Sequence, residues 1–478
     1  MKHIATDSTP AGHHGQNASP AQAGTRTHLQ LINLESAFAT FFVVFSGGAF
    51  LTGLGLYFGA SDFQLGLLTA IPFIAQAAQL LSAYIVERTG HRKAITEISL
   101  LVGRQAWWVL IPLLAWQMGG FYSFLLVVAV SNAAVMLATP TWLAWTADLV
   151  PASLRGRYFA TRNTAVALAT VVATVAGGVI LDYLPSDGDH RWGFMVICAL
   201  AALCSLAASA LRHRLPDRPR TSPRRSAART SLWEPLRSES FRRLLTTFVS
   251  WNIAIGISAA FFTAHMLINL KMSFLQIALY SSAVALVSVA ANRPWGAIID
   301  RYGCRSVVVF CAFGLALIPL IWWIPRAGSL WILIPEAVYS GIFWAGFNLA
   351  AFTIPIDQSP AHKRTPYLAV FAVVTGLAFF IASVAGGILA ERLVDFRWVI
   401  GDRTIIGYHL LFALSAFLRL VTGFVALRLQ EPRVQEVPLL MQFVGYATLW
   451  RLGSARQIFP LGVRRKVRRP PRPPAGEK

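Results

Sequence analysis

The chain has 478 residues, of which 55% are hydrophobic and only 13% charged, and its mean hydropathy is +0.56. Apolar runs of about 20 residues recur from end to end, which excludes a soluble globular protein and implies a polytopic membrane protein. The formal charge of +21 does not mark a nucleic-acid partner. About 34 of the 42 Lys and Arg fall in the termini and in alternate loops, the asymmetry that keeps such loops cytoplasmic.

Lipid offers the backbone no hydrogen-bond partner, so apolar runs of this length are read as helices. Residues 1–30 are polar, with no apolar core of a cleavable signal, and are expected to be a disordered cytoplasmic tail. Six helices are predicted near 32–58, 63–86, 94–117, 121–146, 158–183 and 191–212, giving an N-terminal bundle over 31–212. Residues 213–240, rich in Pro, Ser and Arg, read as a cytoplasmic linker. Six more helices, near 243–267, 274–299, 306–325, 330–355, 367–391 and 404–428, make a C-terminal bundle over 241–430. The basic tail, 431–478, holds an apolar stretch from Leu439 to Leu452 that is too short to span. An interfacial helix on anionic lipid and a merely solvated tail both fit it. Cys198, Cys204, Cys304 and Cys311 lack metal-ligand spacing and read as small packing residues.

The two halves repeat. GAIIDRYGCR, Gly296 to Arg305, follows the eighth helix, and SAYIVERTGHRK follows the second. Glu87, Arg88, Gly90 and Arg92 therefore stand 213 positions before Asp300, Arg301, Gly303 and Arg305. Asp148, Pro151, Arg155 and Tyr158 recur 209 positions later as Asp357, Pro360, Arg364 and Tyr367, and VAGG at 175–178 recurs at 384–387. A four-residue indel reconciles the two offsets, which is the pattern of a parallel six-plus-six repeat.

Twelve helices, a basic central loop and G-x-x-x-D-R-x-G-x-R between helices 8 and 9 resemble the major facilitator superfamily over about residues 30 to 430. The first copy departs from that pattern at Ala83 and Glu87. LVPASLRGRYFATRN, between helices 4 and 5, is similar to the corresponding loop of bacterial members. The resemblance implies an all-α membrane fold of two six-helix bundles that rock about a central site. It also implies that the charged turns gate the cytoplasmic side, with Gly296 allowing close packing, Asp300 capping a facing helix, and Arg301 and Arg305 binding carboxylate or lipid phosphate. Asp148, Arg155, Asp357 and Arg364 join this gating set. The Gly-Pro of the antiporter motif on helix 5 is absent, so Gly177 and Gly178 read as packing points and drug/proton antiport is not supported.

Charge inside a membrane is costly enough to need a reason. Arg104 lies about 14 Å into helix 3, with Glu35 and Asp148 as candidate partners, and Arg419 is comparably deep in helix 12. Glu35 opens the first predicted helix; it can carry a coupling proton or stabilise the helix N-terminus. Glu336 and His265 pose the same choice. By family analogy, Gln76, Asn132, Trp142, Trp145, Asn252, Trp344 and Asn348 lie at mid-depth on cavity-lining helices. Pro140 is expected to kink helix 4 beside Trp142. Amides and indoles with few fixed charges suit a neutral or amphipathic solute.

With no P-loop, placed catalytic group or metal cluster, the expectation is a non-enzymatic secondary transporter without cofactor. It is expected to be monomeric, in the inner (plasma) membrane with both termini cytoplasmic, with lipid as neighbour and the proton as candidate coupling ion. A lipid or lysolipid flippase and a non-transporting scaffold on the same fold are the alternatives.

Overall fold

The computed structural model describes residues 20–89, 91–150, 155–184, 190–217, 234–360, 364–401 and 403–431. Residues 1–19 and the tail from 432, including the predicted interfacial helix, lie outside them. The N-terminal half consists of α1 (Pro20–Phe45 and Gly48–Tyr57), α2 (Asp62–Ala75 and Ala78–Thr89), α3 (Arg92–Gln105 and Leu110–Ala115, joined by the 3-10 turn Ala106–Val109), α4 (Phe121–Leu149), α5 (Arg155–Tyr183) and α6 (Arg191–His213). The C-terminal half consists of α7 (Glu239–Ala264, ending in the π-turn His265–Asn269), α8 (Phe274–Tyr302), α9 (Cys304–Ile321), α10 (Leu333–Asp357), α11 (Arg364–Arg392) and α12 (Gly407–Ala426).

Eleven of these are long and apolar enough to cross a membrane. The twelfth, α2, is interrupted at Gln76–Ala77. Several boundaries differ from the sequence expectation by a few residues, α7 starting at Glu239 inside the expected linker, and two differences change the reading. Helix α1 starts at Pro20, inside the segment expected to be a disordered tail. Proline is at home in a first turn, where its absent N–H would have had no partner. The same helix breaks at Ser46–Gly47, and Gly48 takes φ +51°, a left-handed geometry open to glycine at no steric cost. Ahead of α12, residues 403–406 form a strand instead of its first turn. There β1 (Arg397–Ile400) pairs antiparallel with β2 (Arg403–Ile406), and Trp398, Val399 and Ile400 are exposed.

Packing follows the repeat. Helix α1 lies against α5 and α6, and α7 correspondingly lies against α11 and α12. Each half has its own apolar core, one around Trp107, Phe124 and Phe194, the other around Trp295, Val307 and Phe412. The halves meet along two seams, α2 with α11 and α5 with α8. The second glycine of each VAGG sits in one of these seams. A Cβ on Gly178 would lie 2.8 Å from Leu275 Cα, and one on Gly387 3.0 Å from Phe63 Cα, so backbone faces backbone and only glycine fits. Gly296 is different: a Cβ there would meet only Leu349 Cδ2, at 4.0 Å. The close packing expected of Gly296 is therefore not found.

Gly178→Leu and Gly387→Leu should each destabilise the protein by about 1–3 kcal/mol through overpacking, seen as a lowered melting temperature, whereas Gly296→Ala should be nearly neutral.

Candidate functional site

Among the described residues, six hydrogen bonds with side-chain partners cross between the bundles, and all lie at the end opposite the charged turns. At one seam the Asp182 carboxylate, at the end of α5, accepts from the Phe274 and Leu275 N–H groups of α8 at 3.0 and 2.8 Å. At the other seam Glu391 Oε2, at the end of α11, accepts from Phe63 N and Ser61 Oγ of α2, both at 2.8 Å. The two acids are 209 positions apart, in the register of the repeat. Each receives the orphan N–H groups and positive dipole of a helix start in the other bundle. Ser61 and Ser273 cap the third helical residue of the same helices, so the first turns are shared between own and opposing bundle. Tyr408 O–H adds a bond to Asp62. Stacked rings of Phe73 and Phe379 extend the α2–α11 seam towards mid-depth, with centroids 3.6 Å apart.

At the opposite end, Asp300 and Asp357 are exposed, without a described hydrogen bond or ion pair across the bundles. The Asp300 cap on a facing helix is therefore not made in this state. Gly303 ends α8 at φ +85°. Arg305 donates to the Leu427 carbonyl at 2.7 Å rather than to a carboxylate. Glu431 instead accepts from Cys304 N and Arg305 N at 3.0 and 2.9 Å, capping α9 within its own bundle. Arg301 lies over Tyr302, and Arg88 over Tyr84. Arg92 is buried and Arg364 exposed. Gly90 and the side chains of Glu87, Asp148 and Arg155 lie outside the described residues.

Inside the N-terminal bundle is a cluster that sequence reasoning saw only in part. Glu35 is well inside α1 and 2% exposed, not at a helix start, because α1 continues back to Pro20. Its direct partner is Arg212 of α6, fully buried, with Nη1 2.7 Å from Glu35 Oε1. Arg104 is buried within electrostatic reach of Glu35 and Arg212 but makes no hydrogen bond to the carboxylate. The expected Glu35–Arg104 pair is thus replaced by Glu35–Arg212. Arg162 of α5 donates to Ser36 Oγ at 3.0 Å. Arg104 lies over Phe42, and Arg212 over Trp142.

The remaining predicted residues divide into locally satisfied and interfacial ones. Asn132 and Asn252 donate to carbonyls one turn back in their own helices, Val128 and Phe248. Trp145 is buried, its indole donating to the Pro216 carbonyl, so it is a packing residue. Helix α4 continues through Pro140, and the Thr141 hydroxyl donates to Ala138 O. Gln76 sits beside Gly376 of α11, between the bundles. Trp344 packs edge-on to Trp251, which in turn lies under Arg419. Asn348 is exposed. Glu336 is 2% exposed and accepts from Tyr280 O–H and Ser340 O–H. His265, also buried, packs against Trp322, Tyr408, His409 and Phe412. No group of three or more metal-ligating side chains occurs among the described residues.

The family model described as Major Facilitator Superfamily matches residues 36–268 and again 245–471. The chain superposes on a mutant of the nucleoside transporter NupG with a TM-score of 0.65 at 14% identity, covering 84% of this chain and 100% of that one. For a D-xylose-proton symporter the values are 0.64, 14%, 85% and 98%. For a bacterial homologue of the iron transporter ferroportin in its inward-facing state they are 0.61, 13%, 85% and 98%. At such identities the likeness carries the fold alone. No curated protein matches the chain.

Two outcomes follow from the geometry. Spin labels at Tyr183→Cys and Leu279→Cys should move apart when Asp182→Ala removes one latch, and less for Glu391→Ala, whose exposed carboxylate is already screened by solvent. Glu35→Gln and Arg212→Gln should each destabilise by about 3–5 kcal/mol, the cost of a stranded buried partner. A double-mutant cycle on thermal unfolding should find the two strongly non-additive.

Proposed function

The chain belongs to the major facilitator superfamily, and on that footing we propose that it carries a small organic solute across the inner membrane by alternating access. The observation that carries this reading is the placement of every described cross-bundle hydrogen bond at one end. Two bundles hinged so at one end, with no cross-bundle hydrogen bond described at the other, form one half of a rocking cycle. In the complementary half the carboxylate latches release, and Asp300 and Asp357 find partners across the gap. The distribution of Lys and Arg supports assigning the charged turns and both termini to the cytoplasm.

The solute lies between the bundles, where Gln76 borders α11, with Asn252, Asn348 and Trp344 as candidate contacts from the C-terminal half. Glu336 is the proton-carrying candidate. It is a buried carboxylate whose donors are the Tyr280 and Ser340 hydroxyls and the Trp322 indole, with no arginine or lysine among its interactions, so it can gain a proton without breaking an ion pair.

The test is thermal stabilisation by a solute library, followed by uptake of any hit into proteoliposomes. Binding of a solute should raise the melting temperature by mass action, and Asn252→Ala or Gln76→Ala should weaken the apparent affinity read from the shift and from uptake about tenfold, an interaction of about 1.4 kcal/mol. Glu336→Gln should abolish the dependence of uptake on an imposed pH gradient while leaving solute binding measurable. Vesicles that move labelled lipid but no solute, or neither, overturn the reading.

A further inference from the structure

Among the described residues, the arginines around Glu35 in the N-terminal bundle carry more positive charge than that carboxylate can answer. Arg104, Arg212 and Arg162 all act electrostatically on Glu35, which is the acid they share among the described residues. Arg212 spends Nη1 on Glu35 Oε1 and Nη2 on Ser209 Oγ, at 2.7 and 2.8 Å, and its Nε has no partner. Arg104 is only 7% exposed, yet its Nε and Nη1 are both buried without a hydrogen-bond acceptor. The Phe42 ring, 5.5 Å from the Arg104 guanidinium, offers a π face and no lone pair. Among the described residues, the charged neighbours of Arg104 are Glu35, already engaged by Arg212, and Arg212 itself.

A guanidinium left unpaired inside a membrane protein is expensive, and a second one beside it adds repulsion. Arg419, buried in the other half, differs in degree: its Nη1 donates to the Leu315 carbonyl at 3.0 Å, its Nε is buried without a partner, and no second cation acts on it. Around Arg104 two guanidinium groups act on each other, and Arg104 Nε, Arg104 Nη1 and Arg212 Nε lack an acceptor.

We propose that Arg104 and Arg212, with Arg162, form a binding site for an oxyanion, the carboxylate or phosphate group of a small ligand. A planar guanidinium matches the paired oxygens of either group, and one bound anion supplies the missing acceptor while cancelling excess charge. Arg162 is half-buried, the least enclosed of the three, and marks the side of entry. Glu35 holds Arg212 in place, and Trp142 lies beneath the Arg212 guanidinium, 5.8 Å from it. The site goes beyond the transport reading, since it specifies a negatively charged group on what this bundle binds, and it stands without it.

The experiment uses the full-length protein in detergent. Sodium chloride is replaced stepwise by sodium phosphate, or by sodium succinate, at constant ionic strength and pH, and melting is followed. The melting temperature should rise saturably with at least one of the two, and Arg104→Gln should weaken the apparent affinity at least tenfold. In chloride alone Arg104→Gln should melt no lower than the native protein, because it removes a charge that nothing satisfies, whereas a residue with a structural partner would destabilise on substitution. Arg104→Lys, which keeps charge but loses the fork, should fall between. Should Arg104→Gln fail to fold, Arg162→Gln gives the same readout. A response to phosphate alone assigns a phosphoryl ligand, to succinate alone a carboxylate, and to both an oxyanion of either kind. No rise over chloride with either anion, or an equal rise in Arg104→Gln and Arg162→Gln, overturns the proposal. Binding is read without transport, so a protein that binds phosphate yet moves no solute in vesicles would retain this site and lose the transport reading.

Discussion

The state of the whole molecule depends on one kind of contact, a carboxylate at the end of one helix laid on the bare N–H groups at the start of another. Asp182 on α8 and Glu391 on α2 are the two copies. Hydrogen bonds to a charged acceptor contribute about 1.5–3 kcal/mol each when partly shielded from water. That is enough to bias two bundles towards one arrangement and small enough to reverse. The glycine seams below the latches make the contact possible. Without Gly178 and Gly387 the helix starts could not come close enough for the carboxylates to reach them.

The bundle interiors follow a different logic. In the C-terminal half Glu336 is held by neutral donors and Arg419 bonds a carbonyl, and neither lies beside a second charge of its own sign. In the N-terminal half three arginines share one acid, and the balance is left open. The repeat has therefore diverged in its chemistry while keeping its packing. Placing Trp142 against Arg212 also changes what that indole offers. It belongs to a cationic environment and not to the neutral amide-and-indole site that mid-depth residue types had indicated.

Much of the architecture was legible because it is written in periodic signals: apolar length for the spans, a constant offset for the repeat, basic loops for orientation. What escaped was set by boundaries and by partners distant in sequence. Glu35 read as a helix start because the residues before it are polar, and only the continuation of α1 to Pro20 puts the acid deep in the bundle. Arg212 falls in the last turn of α6, where a basic residue is already accounted for by the helix dipole and the membrane interface, so nothing in the chain singled it out. Asp182 and Glu391 stand four residues beyond each VAGG, in register. Their role depends on helix starts in the opposite bundle that no local pattern announces. The strand pair before α12 was read as helix because Thr404, Ile405 and Ile406 extend an apolar run, although β-branched residues favour a strand.

The latch acceptors are side chains, but most of their donors are backbone. Short of proline, no substitution removes a backbone N–H, so selection on the balance between the two faces of this protein acts on these contacts chiefly from the acidic side, at positions 182 and 391. The chain carries the shorter aspartate at one and the longer glutamate at the other, a difference of one methylene in reach. The two seams therefore have unequal tethers, and opening would begin at whichever acid reaches its helix with more slack.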